Sequence, residues 1–109
     1  MEANTTQEFF QEILPKRFKP EKAKGVNVTV QVTIINGEQE NWITIIKDQI
    51  MKVDEGIYPE PELTLKMSKK DFLDLVNGKI SAEKAFFSGK INFKGNITLA
   101  LKLREAGFL

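Results

Sequence analysis

Alternation between apolar and polar residues is strongest near the middle of the chain. From Val26 to Ile34 every second residue is Val or Ile, and Asn, Thr or Gln lies between them. This period of two is typical of a β-strand that buries one face. Further short apolar stretches at residues 42–47, 50–54 and 63–67 are predicted to form three more strands. The middle of the chain is therefore expected to form a sheet.

Turn residues separate these strands. Asn36 and Gly37 favour a hairpin, and the polar stretch that continues to Asn41 predicts a hairpin loop longer than two residues. Pro59 and Pro61 lack the amide donors that a central strand needs. The segment that contains these prolines is therefore expected to cross the edge of the sheet before the fourth strand.

Capping residues and helical spacing predict helices near both ends of the chain. The first helix is expected to begin after Thr5, which has Glu8 in capping-box spacing, and to end at Pro15. A last strand is predicted at residues 90–94. The predicted N-caps of the three later helices are Ser68, Ser81 and Asn96.

The order of these elements determines the expected fold class. A helix, four strands, two helices, a strand and a helix follow one another, and strands that do not alternate with helices are typical of the α+β class. We expect a five-stranded, mostly antiparallel sheet with helices covering one face. A length of 109 residues suits a single domain over residues 1–109.

Composition narrows the possible chemistry. The chain has no cysteine and no histidine, which excludes disulfides, thiolate metal sites, a Ser-His-Asp triad and a histidine general base. We therefore expect a binding protein with no catalytic residue, no metal and no cofactor. A small isomerase or hydrolase that uses Asp71, Asp74 or Tyr58 is the enzymatic alternative.

The apolar runs and the first residues indicate where the protein acts. The longest apolar runs have two or three residues, far fewer than the ~20 that span a bilayer. The first ten residues are acidic and polar, whereas a secretory signal begins with basic residues and continues with apolar ones. A cytoplasmic location is therefore expected.

Charge is unevenly distributed although the net charge is only +1. Five basic residues and one acid give residues 16–24 a net charge of +4. This basic stretch is predicted to contact an anionic membrane surface transiently or to be a solvated face. No nucleic-acid partner is expected, because the single Trp42 lies in an acidic stretch. The basic side chains are Lys16, Arg17, Lys19, Lys22 and Lys24.

The final predicted helix has more apolar surface than packing on a sheet requires. At ~100° per residue its apolar side chains spread over about 220°, whereas a helix on a sheet needs a stripe of roughly 100° or somewhat more. The excess predicts that part of this helix lines a cavity, contacts lipid or docks a partner. A helix wedged into the core is the structural alternative.

Several ordered motifs in the second half of the chain are shared with a known family. They are a strand followed by Met67-Ser68, a helix with Asp71-Phe72, and then NGK, AFFSGK, a strand and GNITLALKL. In this order they resemble the sterol carrier protein 2 family of lipid-transfer domains, over residues 8–103. The resemblance implies an α+β fold with a hydrophobic tunnel. It also implies non-enzymatic binding and transfer of fatty acids, fatty acyl-CoA, sterols or phospholipids.

The resemblance further implies which side chains bind the ligand. The tunnel of such domains is associated with the second-half helices, the last strand and the terminal helix. Thr98 and Leu101 depart from the family's pattern, which leaves the ligand's identity open, and an end that is not Ser-Lys-Leu does not support peroxisomal import. A weak dimer also stays open. The implied ligand-binding residues are Phe72, Leu75, Phe86, Phe87, Ile91, Phe93, Ile97, Ala100, Leu101 and Leu103.

Overall fold

The computed structural model describes residues 2–108, which form a five-stranded sheet and four helices. The order across the sheet is β3-β2-β1-β4-β5, in which β1 and β4 are parallel and the other neighbouring pairs are antiparallel. The predicted α+β class and the mostly antiparallel sheet are confirmed. The strands are β1 Val28–Asn36, β2 Glu38–Lys47, β3 Ile50–Glu55, β4 Leu63–Ser68 and β5 Asn92–Gly95.

The helices begin where their capping residues predict. Helix α1 covers residues 6–17, and a short 3-10 turn follows at Pro20–Lys22. The side chains of Thr5, Ser68, Ser81 and Asn96 each accept a hydrogen bond from a backbone amide of the following first turn. Such caps satisfy amides that have no partner inside the helix. The later helices are α2 Lys69–Val76, α3 Ala82–Phe87 and α4 Ile97–Glu105.

The prediction that Pro15 ends the first helix is wrong. Helix α1 consists of an α turn Thr6–Glu8, a π turn Phe9–Ile13 and a further α turn Leu14–Arg17. A proline ring normally collides with the carbonyl four residues earlier and removes a helical hydrogen bond. The π turn before Pro15 widens the helix and relieves the collision, because its hydrogen bonds reach back five residues, as from the Leu14 amide to the Phe9 carbonyl.

The hairpin between β1 and β2 is tighter than predicted. Asn36 pairs with Glu38, so Gly37 alone connects the strands, with a φ of +76° that suits glycine. The expectation of a longer loop is wrong because the polar residues after Gly37 pair with β1 and bond to side chains of β1 and α1. Glu40 accepts a hydrogen bond from the Thr6 hydroxyl at 2.6 Å.

A segment between β3 and β4 crosses the sheet at the central strand β1, not at the edge as expected. The buried side chain of Gln31 on β1 holds this crossing in place. Its Nε2 donates to the Gly56 carbonyl at 2.9 Å, and its Oε1 accepts from the Tyr58 amide at 2.7 Å. The crossing segment brings β4 beside β1, where Val30 pairs with Leu63.

Four aromatic rings form the centre of the core, between the sheet and helices α1 and α2. The Phe10 ring is stacked on Trp42 with centroids 4.9 Å apart and on Phe72 at 5.5 Å. Phe9 meets Phe72 edge to face at 5.4 Å. All four side chains are buried. This cluster fills the space between the sheet and helices α1 and α2.

Within residues 2–108, no helix is both long and apolar enough to cross a membrane.

Candidate functional site

An apolar cavity of about 330 Å³ lies between the sheet and helices α3 and α4. Its volume is within the range of small-ligand sites. Thirteen of its fifteen lining residues are apolar. The apolar lining residues are Val30, Leu63, Leu65, Ala82, Phe86, Phe87, Ile91, Phe93, Ile97, Ala100, Leu101, Leu103 and Phe108.

The central strands form the floor of this cavity. Val30 on β1 pairs with Leu63 on β4, and Leu65 pairs with Phe93 on the edge strand β5. Side chains two apart on a strand point to the same face, so Leu63 and Leu65 both face the helices. The parallel pairing of β1 with β4 therefore builds a continuous apolar floor from strands that are distant in sequence.

Helix α4 divides its wide apolar arc between the core and the cavity. Leu103 is buried at 3% exposure, whereas Ile97 and Leu101 are 54% and 52% exposed. The following turn is fixed to the rest of the fold, because the Ala106 carbonyl accepts a hydrogen bond from the Lys19 amide at 2.8 Å. Helix α4 is thus anchored at its C-terminal end and presents apolar side chains toward the cavity mouth.

Helix α3 supplies the opposite wall. Within this helix the Ala85 side chain is completely buried, while Phe86 is 42% and Phe87 is 84% exposed. The Phe86 ring meets Phe87 at 5.6 Å and Phe93 at 6.4 Å, both edge to face. These rings contact each other on one side and solvent on the other, so the cavity has an open, aromatic mouth.

Two charged residues line the cavity beside this apolar wall. Glu83 on α3 and Arg104 on α4 form an ion pair across the mouth. Both side chains are about half exposed, at 52% and 43%. Exposed ion pairs contribute little net stability, about 0–1 kcal/mol. A ligand that offers another anionic group can therefore compete for Arg104 at low cost.

The structure brings eight of the ten residues implied by the resemblance to this cavity. Phe72 and Leu75 do not line it. Both are buried in the core, where the Phe72 ring packs against Phe9 and Phe10 of α1. The floor residues Val30, Leu63 and Leu65 were missed. Their alternation along the strands could have placed them on the helix-covered face, but only the pairing of β1 with β4 puts them below α3 and α4.

The residues of the enzymatic alternative do not line this cavity. Asp74 is paired with Lys70, with Asp74 Oδ2 and Lys70 Nζ 3.0 Å apart, and this hydrogen bond lowers the pKa of Asp74. A general acid near neutral pH requires a raised pKa instead. Asp71 lies in the first turn of α2, and the Tyr58 amide is bound to Gln31.

One member of the basic stretch has a structural role. Arg17 Nη1 donates to the Val76 carbonyl at 3.2 Å, and the guanidinium lies over the Phe9 ring at 5.5 Å. Burial lowers the pKa of Arg17 from its ordinary value. This side chain joins α1 to α2. Lys16, Lys19, Lys22 and Lys24 are exposed.

A second cavity, of about 390 Å³, has a different character. It lies near Trp42 and α1, and polar side chains or backbone line most of it. Within residues 2–108 no cluster of three side chains suits a metal ion. The apolar cavity is therefore the better candidate for a hydrophobic ligand. The residues around the second cavity are Gln7, Gln39, Glu40, Asn41, Trp42, Glu55 and Gly56.

A helix-covered mixed sheet with an apolar cavity under its last helix defines a small α+β ligand-binding domain. The model of the SCP-2 sterol transfer family matches residues 10–106. The chain belongs to this family, so lipid binding or transfer is its general role.

Individual relatives agree with this membership. The oleate-induced peroxisomal protein POX18 of Candida maltosa is 32% identical over 97 residues, which cover 84% of this chain and 76% of that protein. Sterol carrier protein 2 of Homo sapiens is 34% identical over 69 residues, which cover 63% of this chain but only 13% of the human protein. The match to the human protein is therefore confined to one part of it.

Solved structures show the same fold. The crystal structure of sterol carrier protein 2 like 2 from Aedes aegypti superposes with a TM-score of 0.75 at 26% identity, covering 91% of this chain and 93% of that one. The solution structure of the palmitated form of the same mosquito protein has a TM-score of 0.66 at 27% identity, covering 93% and 92%.

Proposed function

We propose that the apolar cavity holds the hydrocarbon chain of a lipid and that the protein transfers this lipid without covalent chemistry. The observation that carries the proposal is the almost wholly apolar lining under α3 and α4. Each Å² of apolar ligand surface removed from water contributes roughly 25 cal/mol, from which the costs of association are subtracted. A long chain therefore binds without polar contacts along its length.

A long-chain fatty acid is the ligand that the cavity supports best among fatty acids, acyl-CoA, sterols and phospholipids. The palmitated state of the mosquito relative supports an acyl ligand. The Glu83–Arg104 pair at the mouth supports a carboxylate end, because a carboxylate replaces Glu83 as the partner of Arg104. The methyl end then lies over the floor formed by Val30 and Leu65. A tunnel through the domain stays a prediction.

Substitutions in α4 test whether this cavity is the site of uptake. We expect Leu101→Asp to lower the affinity for a fluorescent fatty acid by at least about tenfold, or 1.4 kcal/mol, with little loss of stability because Leu101 is half exposed. Ile50→Asp is the control, since Ile50 is 70% exposed and does not line the cavity. Equal uptake by both variants and the wild type would contradict the proposal. Leu103→Asp is less informative, because Leu103 is buried and its replacement also unfolds the chain.

The charged pair at the mouth allows a separate test of the ligand's end group. We expect Arg104→Gln to lower the affinity for palmitate by about 1.5-fold to fivefold, the range of one exposed charge interaction, and to leave binding of methyl palmitate unchanged. Lys102→Gln removes the same charge from α4 at a residue outside the lining and is the control. Titration calorimetry with both ligands measures the difference. Parallel losses for the acid and the ester would contradict carboxylate recognition.

Other parts of the proposal concern location and partners. The cytoplasmic location stays a prediction, and one relative is named peroxisomal. The alternative to a lipid carrier is an interaction module that docks a partner protein through α4. A weak dimer, in which the partner is a second copy of the chain, is one form of this alternative. Native mass spectrometry of the freshly purified protein separates these possibilities: bound lipid supports the carrier, whereas a dimer without lipid supports the interaction module.

A membrane contact is also proposed for the exposed side chains of Lys16, Lys19, Lys22 and Lys24. Arg17 is left out of this contact, because it bonds to the Val76 carbonyl.

A further inference from the structure

Large apolar side chains are exposed around the mouth of the cavity. Phe87 is 84%, Ile97 54%, Leu101 52% and Phe86 42% exposed, and all four line the cavity. They belong to α3 and α4, which face each other across the opening. Exposed apolar residues gathered in one place mark an interaction surface, whereas single ones are ordinary. We call these four residues the mouth surface.

We propose that the mouth surface docks on an anionic lipid membrane. Residues 83–104, which carry the mouth surface, contain five basic residues and one acid, a net charge of +4. The single acid, Glu83, is already paired with Arg104. Lys84 and Lys90 are exposed and lie close in sequence to Phe86 and Phe87. Apolar side chains surrounded by basic ones are the chemistry that binds an anionic bilayer surface.

Charge distinguishes a membrane from a second copy of the chain as the occupant. Two mouth surfaces would bring two segments of charge +4 together, and like charges repel. An anionic membrane attracts the same segment, at about 1 kcal/mol for each basic residue near the surface. Phe87 then enters the boundary between headgroups and acyl chains, where aromatic side chains are favoured.

Docking in this orientation joins the cavity to the membrane interior, and this consequence alone rests on the proposed lipid-carrying function. An acyl chain then passes from the bilayer into the cavity without crossing water. The basic stretch at residues 16–24 lacks this property, because it contains no exposed large apolar side chain. It attracts a charged surface but has nothing to insert.

Binding to vesicles tests the proposal. The full chain is sedimented with vesicles of phosphatidylcholine that contain about one quarter phosphatidylglycerol, a composition with a negative surface. The double variant Phe87→Ser with Ile97→Ser is expected to bind at least about tenfold more weakly than wild type. The matched control is Ile50→Ser with Ile57→Ser, whose side chains are 70% and 73% exposed but lie outside the cavity lining. This control is expected to bind within about twofold of wild type.

Insertion is measured directly with a fluorescent reporter. Phe87→Trp is expected to shift to shorter wavelength on vesicles and to be quenched by brominated acyl chains. Ile57→Trp is expected to stay unquenched, and native Trp42 is buried, so it adds a constant background. Because both reporter positions are exposed, neither substitution threatens folding. Quenching at Ile57→Trp but not at Phe87→Trp would overturn the proposal.

Three further results would also overturn it. They are absence of vesicle binding by the wild type, equal losses in the two double variants, and sedimentation as a dimer whose dissociation requires Phe87→Ser. Loss of binding only when Lys16, Lys19, Lys22 and Lys24 are replaced by Gln would assign docking to the basic stretch instead. Uptake of fatty acid is measured separately without vesicles. Uptake with no vesicle binding contradicts only the docking proposal, and vesicle binding with no uptake contradicts only the lipid-carrying function.

Discussion

Two groups of phenylalanines in this chain have the same side chain and opposite environments. Phe9, Phe10 and Phe72 are completely buried, and the Phe10 ring is stacked between neighbours at 4.9 and 5.5 Å. Phe86 and Phe87 are 42% and 84% exposed at the cavity mouth. The first group has α1, α2 and the sheet around it, whereas the second borders the apolar cavity on one side. The comparison separates residues that stabilise the fold from residues available to a ligand.

The largest expected difference between the two groups is in stability. Phe72→Ala removes a ring enclosed on all sides, and we expect it to lower the free energy of unfolding by about 3–5 kcal/mol. Phe87→Ala removes a ring that is mostly in water, and we expect a change of less than about 0.5 kcal/mol. Urea denaturation followed by circular dichroism measures both. Similar losses for the two variants would mean that the mouth is packed as tightly as the core.

A second pair of substitutions adds volume in the two regions. Ala85 is completely buried, so Ala85→Phe is expected to cost about 1–3 kcal/mol through overpacking. Ala100 lines the cavity, so Ala100→Phe is expected to fill empty space, keep the stability within about 1 kcal/mol of wild type, and block uptake of a fluorescent fatty acid. Unchanged uptake by Ala100→Phe would show that the ligand does not occupy this cavity.

The smallest expected effect on stability concerns the buried Thr44 hydroxyl on β2. Thr44 is completely buried and its Oγ1 has no hydrogen-bond partner among residues 2–108, so Thr44→Val is expected to raise the free energy of unfolding by about 1 kcal/mol. Thr33 provides the opposite case, because its hydroxyl donates to Asn41 Oδ1 at 2.9 Å. Thr33→Val is expected to lower stability by about 1 kcal/mol. Thermal unfolding of both variants, with the same sign of change, would contradict this account.

Elements with local causes could be predicted well. Ser68, Ser81 and Asn96 accept hydrogen bonds from the first turns of their helices as their positions indicate. A cap depends on residues only two or three positions away, so no tertiary information is required. The alternation before Ile34 likewise predicted a strand, and β1 is observed there. The prediction that only one face is buried is wrong, because Thr29 and Gln31 on the polar side are also buried, where the segment after β3 bonds to them.

Elements that depend on distant partners were predicted less well. Pro15 indicates a helix end, but the π turn before it allows α1 to continue. The polar residues after Gly37 indicate a loop, yet Thr6 and Thr33 from other elements supply hydrogen bonds that keep them in the strand. In the hairpin, hydrogen-bond partners from other elements outweigh the local preference, whereas in α1 a change of helix type accommodates the proline.

The sequence by itself determined the element types, the α+β class and an excess of apolar surface on the final helix, because these follow from the spacing and capping of nearby residues. Only the tertiary structure decided how that surface is used. The parallel pairing of β1 with β4 puts Val30 and Leu63 below α4, and the packing of α2 against α1 withdraws Phe72 into the core. The shape of a cavity depends on which elements, distant in sequence, pack against each other. The spacing of hydrophobic residues within one element does not show which other element it packs against.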